Sequence, residues 1–284
     1  MKTRKILSLI MAVVMLVGCF SAFASAADKT NYVVLGDSIA YGSGLSNPTE
    51  ACYGKMIADT CGFDYANHSV PGATTDALIR KLKEQAVIDA VEKADIISIS
   101  IGGNDFLMND IVSLMFDAVA KKDYSTFDEI GEGVYVNIGK IVGIIRDVNS
   151  DAVILLQTLY NPQLGYLREG YQYGADKVSE AIRRYAEENP ANIAVVDVAS
   201  ALGHDGANFA DDCVHPSAKG NEIIAKEVLS SLNALGLTDK TELNASAKGK
   251  DIAFGPLYSW ALDFFGFFLT VLGKIFAPVF SIMK

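Results

Sequence analysis

The amino-acid sequence predicts a three-layer α/β/α sandwich around a central five-stranded parallel sheet. Three observations carry that expectation. Five short candidate strands recur between residues 30 and 237, separated by stretches that read as helices. Strands that alternate with helices build parallel sheets. Each strand also ends in glycine or small polar residues, so the turns collect at the strands' carboxyl edge, where α/β proteins bind ligands. No internal repeat competes with this reading.

The elements follow in order. Tyr32-Val33-Val34-Leu35 is the first strand, and Glu50 to Thr60 can form a helix. Phe63 to Asn67 is a short second strand, followed by Val70-Pro71-Gly72. Hydroxyls at Thr74 and Thr75 suit a helix start. The residues from there to Ala90 carry apolar positions at helical spacing. Ile96-Ile97-Ser98-Ile99-Ser100-Ile101 is the clearest buried strand, and it ends in Gly102-Gly103-Asn104-Asp105. Helical stretches near Leu107 to Ala120 and Phe127 to Val148 lead to a fourth strand, Ala152 to Thr158. The amphipathic Leu167–Glu188 stretch leads to a fifth, Ile193 to Val198. A glycine- and aspartate-rich loop spans Ser200 to Val214, and Pro216 opens a last core helix that reaches about Leu235.

Both ends lie outside this core. Lys2, Arg4 and Lys5 precede an apolar run from Ile6 to Val17, and Ala24-Ser25-Ala26 follows. That pattern is a signal peptide over residues 1–26, with an exported mature protein. A lipobox-like Leu16-Val17-Gly18-Cys19 offers a second processing site, which would leave an acylated Cys19 at the cell surface. The chain's formal charge is −10, and it becomes −13 once the leader's three cations go, since no acidic residue goes with them. Such a charge argues against nucleic acid as a partner. Outside the cell, Cys52 and Cys61 could pair, leaving Cys213 odd. No Cys/His cluster has zinc-ligand spacing.

The chemistry gathers at strand ends. Gly36-Asp37-Ser38-Ile39 delivers a serine directly after the first strand. Serine is a poor nucleophile without a base, usually a histidine held by a carboxylate. Of the three histidines, His215 stands three residues after Asp212, a spacing that sets carboxylate beside imidazole within one turn. His204 lies beside Asp205 in a loop, and His68 ends the second strand, where packing or local capping is its expected role. Acyl chemistry also needs donors for a developing oxyanion. Gly72 offers a closely approachable backbone N–H, and Asn104 offers a side-chain amide. Each residue alone reads as ordinary turn chemistry. Their joint placement does not.

These four blocks resemble the SGNH, or GDSL-type, hydrolase family, and the resemblance covers about residues 31 to 236. Gly36-Asp37-Ser38-Ile39 is similar to the first block, with isoleucine where the family has leucine. Asn67 through Gly72-Ala73-Thr74-Thr75 resembles the second, although Val70-Pro71 stand where a smaller pair is commoner. Gly102-Gly103-Asn104-Asp105 resembles the third, and Asp212-Cys213-Val214-His215 the last. The resemblance implies the flavodoxin-like SGNH fold. It also implies a Ser38–His215–Asp212 triad and an oxyanion hole from the Ser38 and Gly72 N–H groups and the Asn104 amide. Asp37 would support the turn. It further implies hydrolysis of acyl or acetyl esters of lipids or carbohydrates, with no metal or organic cofactor. A thioesterase or peptidase with the same triad is the alternative within enzymes. A non-catalytic surface-binding protein on this fold is the alternative outside them. No Gly-x-Ser-x-Gly elbow is present, which disfavours the α/β-hydrolase fold.

After the core, residues 238–250 form a polar linker, and residues 251–284 an apolar, aromatic helix. Ser259, Asp263, Gly266, Thr270 and Lys274 recur three or four residues apart as one narrow polar and small-residue stripe. Asp263 and Lys274 interrupt the apolar run before it reaches spanning length. So wide an apolar face suits a membrane surface or self-association, with docking on the domain's own surface as the alternative.

Overall fold

The computed structural model describes residues 29–244, 250–253 and 256–282, with side chains described from Trp260 to Phe276 in the last segment. The leader expected over residues 1–26, Cys19 included, and part of the 238–250 linker lie outside the described residues. The strands β1 (Asn31–Gly36), β2 (Asp64–Asn67), β3 (Ile96–Ser100), β4 (Val153–Gln157) and β5 (Ile193–Val196) form one parallel sheet. Their spatial order is β2-β1-β3-β4-β5. The chain moves outward from β1 to β2, then crosses back to place β3 on the other side of β1. The crevice at this reversal, between the ends of β1 and β3, is where such sheets bind ligands.

Helices fill the connections in the order α1 (Ser38–Tyr41), α2 (Pro48–Ala51), α3 (Tyr53–Cys61), α4 (Thr75–Lys81), α5 (Gln85–Lys93), α6 (Gly103–Leu107) and α7 (Ile111–Phe116). A π-helical turn (Asp117–Lys121) follows, then α8 (Ser125–Val148), α9 (Arg168–Glu188), α10 (Val198–Leu202), α11 (Ala218–Ala234) and α12 (Pro256–Ile282). Because successive strand residues point to opposite faces, β1 feeds two cores. Val33 and Leu35 pack with Ile97, Ile99, Ile154 and Leu156 beneath α4, α5, α8 and α9. Tyr32 and Val34 pack with Leu155 and Val196 beneath α3 and α11.

Several expectations need correction. The helix expected from residue 73 to 90 is two helices, broken at Leu82–Glu84. The break lets Leu78 and Leu82 of one segment and Val87 and Val91 of the next reach the same core. The fifth strand stops at Val196. Asp197 then caps α10, accepting from the Ser200 N–H, so Val198 is helical. Pro216 lies just outside α11, and Ser217 caps that helix through the Gly220 N–H. Cys52 and Cys61 are free. Cys52 caps the start of α3 and Cys61 ends it. Nine helical steps from Cys52 to Cys61 set them roughly 13 Å apart, about twice the reach of a disulfide.

Candidate active site

The turn after β1 is shaped by contact with β3. Gly36 pairs with Ser100, and the Asp37 N–H donates to the Ser100 carbonyl at 3.0 Å. Asp37 is buried, and its carboxylate accepts from the Ile39 N–H at 2.9 Å, which caps α1 and sets Ser38 as its first residue. Gly42, at φ +92°, closes that single turn.

Burial pushes the Asp37 carboxyl up to about 7, against the opposing pull of the Ile39 N–H and the His215 charge. A raised carboxyl favours the folded state most when protonated. Its contribution is therefore complete below about pH 4, its unfolded value, and is lost as pH rises through about 7. Asp37→Asn keeps the acceptor for the Ile39 N–H and removes the titration. Unfolding free energies from urea denaturation followed from about pH 4 to 8 are expected to fall less in the variant, by up to a few kcal/mol. Parallel pH profiles for the two proteins would contradict this.

The second turn, after β2, is a Val70–Ala73 turn closed by the Ala73 N–H on the Val70 carbonyl at 3.0 Å. Pro71 and Gly72 are its central residues, and Gly72 takes φ +80°. Proline then glycine at positive φ suits a type II turn. The third turn places Asn104 in the first turn of α6, mostly buried, where its side-chain amide donates to the Ala73 carbonyl at 2.9 Å. That bond uses one of the two amide hydrogens and fixes the direction of the other. Asp105 ties the same two loops together, accepting from the Thr75 N–H at 3.0 Å and the Thr75 hydroxyl at 2.5 Å.

The last loop holds Asp212 and His215. One Asp212 oxygen accepts the Val214 and His215 backbone N–H groups at 3.0 and 2.9 Å; the other meets His215 Nδ1 at 2.5 Å. Burial alone would raise this carboxyl, but the His215 ring and backbone, with the Val214 N–H, hold it below the usual carboxylate range. An ionised acceptor at Nδ1 puts the proton there, leaving Nε2 as the basic nitrogen. The backbone of this loop is folded back on itself: the Ala210 N–H donates to the His215 carbonyl at 2.8 Å, and Cys213 takes φ +56°.

Ser38, Gly72, Asn104 and His215 line one cavity of about 250 Å³ at the carboxyl edge of the sheet. Asp37, Pro71, Leu107, Met108, Leu159 and Tyr171 also line it, so most of its wall is apolar. Asp212 stands behind His215, with only 9% of its side chain exposed. His68 and His204 do not reach this cavity. His204 lines two surface clefts formed by α9 and the loop after α10.

Two supports escape sequence reasoning. The Tyr160 hydroxyl donates to the Val214 carbonyl at 2.8 Å, and Gln163 Nε2 donates to the Cys213 carbonyl at 2.6 Å. Two consecutive carbonyls of the His215 loop are thus held from the loop after β4. Asp105 is a third support. It stood beside Asn104 in the sequence, but its partner Thr75 lies 30 residues earlier. No local pattern announces any of these pairs.

The fold and this edge define an α/β protein with its cavity at the carboxyl edge of a parallel sheet. The chain belongs to the GDSL-like lipase/acylhydrolase family, whose model matches residues 34–223. It is 26% identical over 215 residues to the spore germination lipase LipC of Bacillus licheniformis, covering 69% of this chain and 93% of that protein. It is 25% identical over 214 residues to the uncharacterized protein YpmR of Bacillus subtilis, covering 72% and 81%. Among solved structures it resembles the lipase Lip_vut3 from a goat rumen metagenome, with TM-score 0.59 and 23% identity over 71% of this chain and 97% of that one. Phospholipase A1 from Streptomyces albidoflavus gives TM-score 0.57 and 17% identity, over 72% and 99%. Helix α12 lies beyond the family match.

Proposed function

We propose that the protein is an exported carboxylic-ester hydrolase that works by acyl transfer through Ser38. The reading rests on one observation: Ser38, Gly72, Asn104 and His215 line a single cavity at the sheet's reversal point. His215 Nε2 takes the Ser38 proton as the oxygen attacks the ester carbonyl. Asp212 orients the ring and stabilises the imidazolium. The carbonyl oxygen becomes an oxyanion, held by the Ser38 and Gly72 N–H groups and the second hydrogen of the Asn104 amide. The imidazolium then protonates the leaving alcohol. Water, deprotonated by His215, repeats the attack and releases the acid.

The apolar wall formed by Leu107, Met108, Leu159 and Tyr171 favours an alkyl acyl group, the kind a lipid ester supplies. The names of the relatives point to the same chemistry. Export rests on the pattern of residues 1–26. The test is a panel of aryl esters of increasing acyl length, with Ser38→Ala and His215→Ala as blanks. Wild-type-like turnover by either variant would overturn the reading.

Asn104→Ala is expected to lower kcat by about 10²- to 10³-fold, with KM little changed, because the amide acts on charge that develops only in the transition state. The lost bond to Ala73 should cost about 1 kcal/mol of stability. Steady-state kinetics beside a thermal melt separates the two effects. A loss confined to KM would show that Asn104 binds substrate rather than the oxyanion.

A further inference from the structure

Helix α12 buries only part of its apolar bulk: Leu262, Phe265 and Leu269 pack on the core, while most of its large aromatic side chains stay in water beside Asp263 and Lys274. An amphipathic helix on a protein surface normally buries its large apolar residues and shows small and polar ones to water. In α12, Gly266, Leu269 and Gly273 face the domain. Close approach explains the choice of glycine. A Cβ at Gly273 would sit 2.6 Å from Ala120 Cα, and one at Gly266 2.7 Å from Tyr166 Cβ. The large residues Trp260, Phe264, Phe267, Phe268, Ile275 and Phe276 are exposed instead, Trp260 by 61% and Ile275 by 62%. Trp260 and Phe264 stack on each other, 5.5 Å between ring centroids. Six large apolar side chains exposed as a ridge along one helix differ from the singly scattered apolar residues of an ordinary surface.

Position and charge narrow the partner. Leu262 and Asp263 wall a cavity with Pro162, Leu164 and Cys213, and Pro162 also lines the cavity that holds Ser38. Tyr166, on the loop between, meets Phe267 edge-on at 5.6 Å. Leu164 and Tyr166 are more than half exposed, and so is Met108, which lines the Ser38 cavity. Apolar exposure therefore continues from the ridge to the cavity mouth. A second copy of a chain with charge −10 would bring two acidic bodies together, and an anionic surface would also repel it. A zwitterionic lipid surface carries no such cost, and tryptophan and phenylalanine are favoured at its boundary. No helix among the described residues is long and apolar enough to cross a membrane, so contact along the helix side is the geometry that remains.

We propose that the exposed face of α12 docks on a zwitterionic lipid bilayer and brings the mouth of the Ser38 cavity to that surface. The second half of this statement rests on the ester-hydrolase reading. Docking does not.

Trp260 is the chain's only tryptophan, so its fluorescence reports directly from the ridge. On adding phosphatidylcholine vesicles to the full chain, its emission is expected to shift to the blue and to be quenched by bromine-labelled acyl chains. Phe264→Ser/Phe268→Ser/Ile275→Ser leaves Trp260 and the docked face in place. This variant is expected to lower the vesicle partition coefficient by about tenfold or more. Its kcat/KM on a soluble aryl butyrate should stay at the wild-type value, while hydrolysis of a vesicle-embedded ester falls with the partition. Unchanged wild-type emission, or equal partition of the two proteins, overturns the proposal. A lipid-free dimer that the substitutions dissociate, with no vesicle binding by either protein, assigns the ridge to a second copy and also overturns it. Vesicle binding with no hydrolysis of either ester supports docking while refuting the ester-hydrolase reading.

Discussion

Replacing Ser38 with alanine is expected to lower kcat on an aryl ester by about 10⁴-fold or more, with the thermal melt nearly unchanged. The size follows from the proposed route. Without the hydroxyl no acyl-enzyme forms, and what survives is the smaller contribution of binding and oxyanion donors to direct attack by water. The fold should tolerate the change because the bonds that shape the turn come from other atoms. The Asp37 carboxylate caps Ile39, and the Gly42 and Ser43 N–H groups donate to the Ser38 backbone carbonyl, which alanine retains. An alkyl phosphonate ester gives a second readout, since it should add to the wild type at Ser38 and leave the variant unmodified. Residual turnover above about 1% of wild type, with an unchanged melt, would mean that another group carries the acyl transfer.

The central strands were legible because a buried parallel strand needs an apolar run wherever both faces are covered, whereas edge strand β2, Asp64–Asn67, is only partly buried. In β3, Ile96, Ile97 and Ile99 face two different cores, so the Ile-Ile-Ser-Ile-Ser pattern could hardly sit elsewhere. The turns were legible for a related reason. Gly72 at φ +80° and Gly36 at φ +130° occupy backbone conformations that side chains disfavour, so glycine marks these sites. Breaks without such markers stayed hidden. Leu82-Lys83-Glu84 interrupts a helical pattern with no glycine or proline, and the π-helical turn at Asp117–Lys121 has no local signature.

The site divides along the same line. Asp212 and His215 meet within one turn, so three-residue spacing was enough to suggest them. Tyr160 and Gln163 act on carbonyls 54 and 50 residues away. Their effect exists only once β4 and the His215 loop share an edge. Helix α12 shows the opposite difficulty, where a visible pattern carries two meanings. A stripe of small and polar residues marks the wet side of an amphipathic helix when water is the neighbour. Where two backbones approach closely, glycine is instead what lets them meet: Gly266 of that stripe, with Gly273 outside it, belongs to this case, while Asp263 and Lys274 do face water.

Gly36→Ala is expected to destabilise the protein by about 3 to 6 kcal/mol, a large share of what a domain of this size commonly has. Two independent penalties act at this position. Gly36 adopts φ +130°, where an L side chain is strained. A Cβ built there would lie 2.0 Å from the Ser100 carbonyl oxygen, far inside contact distance. That obstacle is backbone in the middle of the sheet, so no side-chain rotation relieves it. The same oxygen receives the Asp37 N–H at 3.0 Å, and pushing it away loosens the bond that anchors the turn carrying Ser38. Stability and activity should therefore fall together. Urea denaturation is expected to show a much lower midpoint, and kcat at temperatures where the variant is still folded should drop, because Ser38 shifts against Asn104 across the β1–β3 crevice. Gly62→Ala is the matched control: it too replaces a glycine at positive φ, at +73°, but its added Cβ meets nothing within 4 Å. It should cost only about 1 to 2 kcal/mol. Equal losses for the two variants would mean that backbone strain alone, and not the close approach of β1 to β3, sets the requirement for glycine ahead of the Ser38 turn.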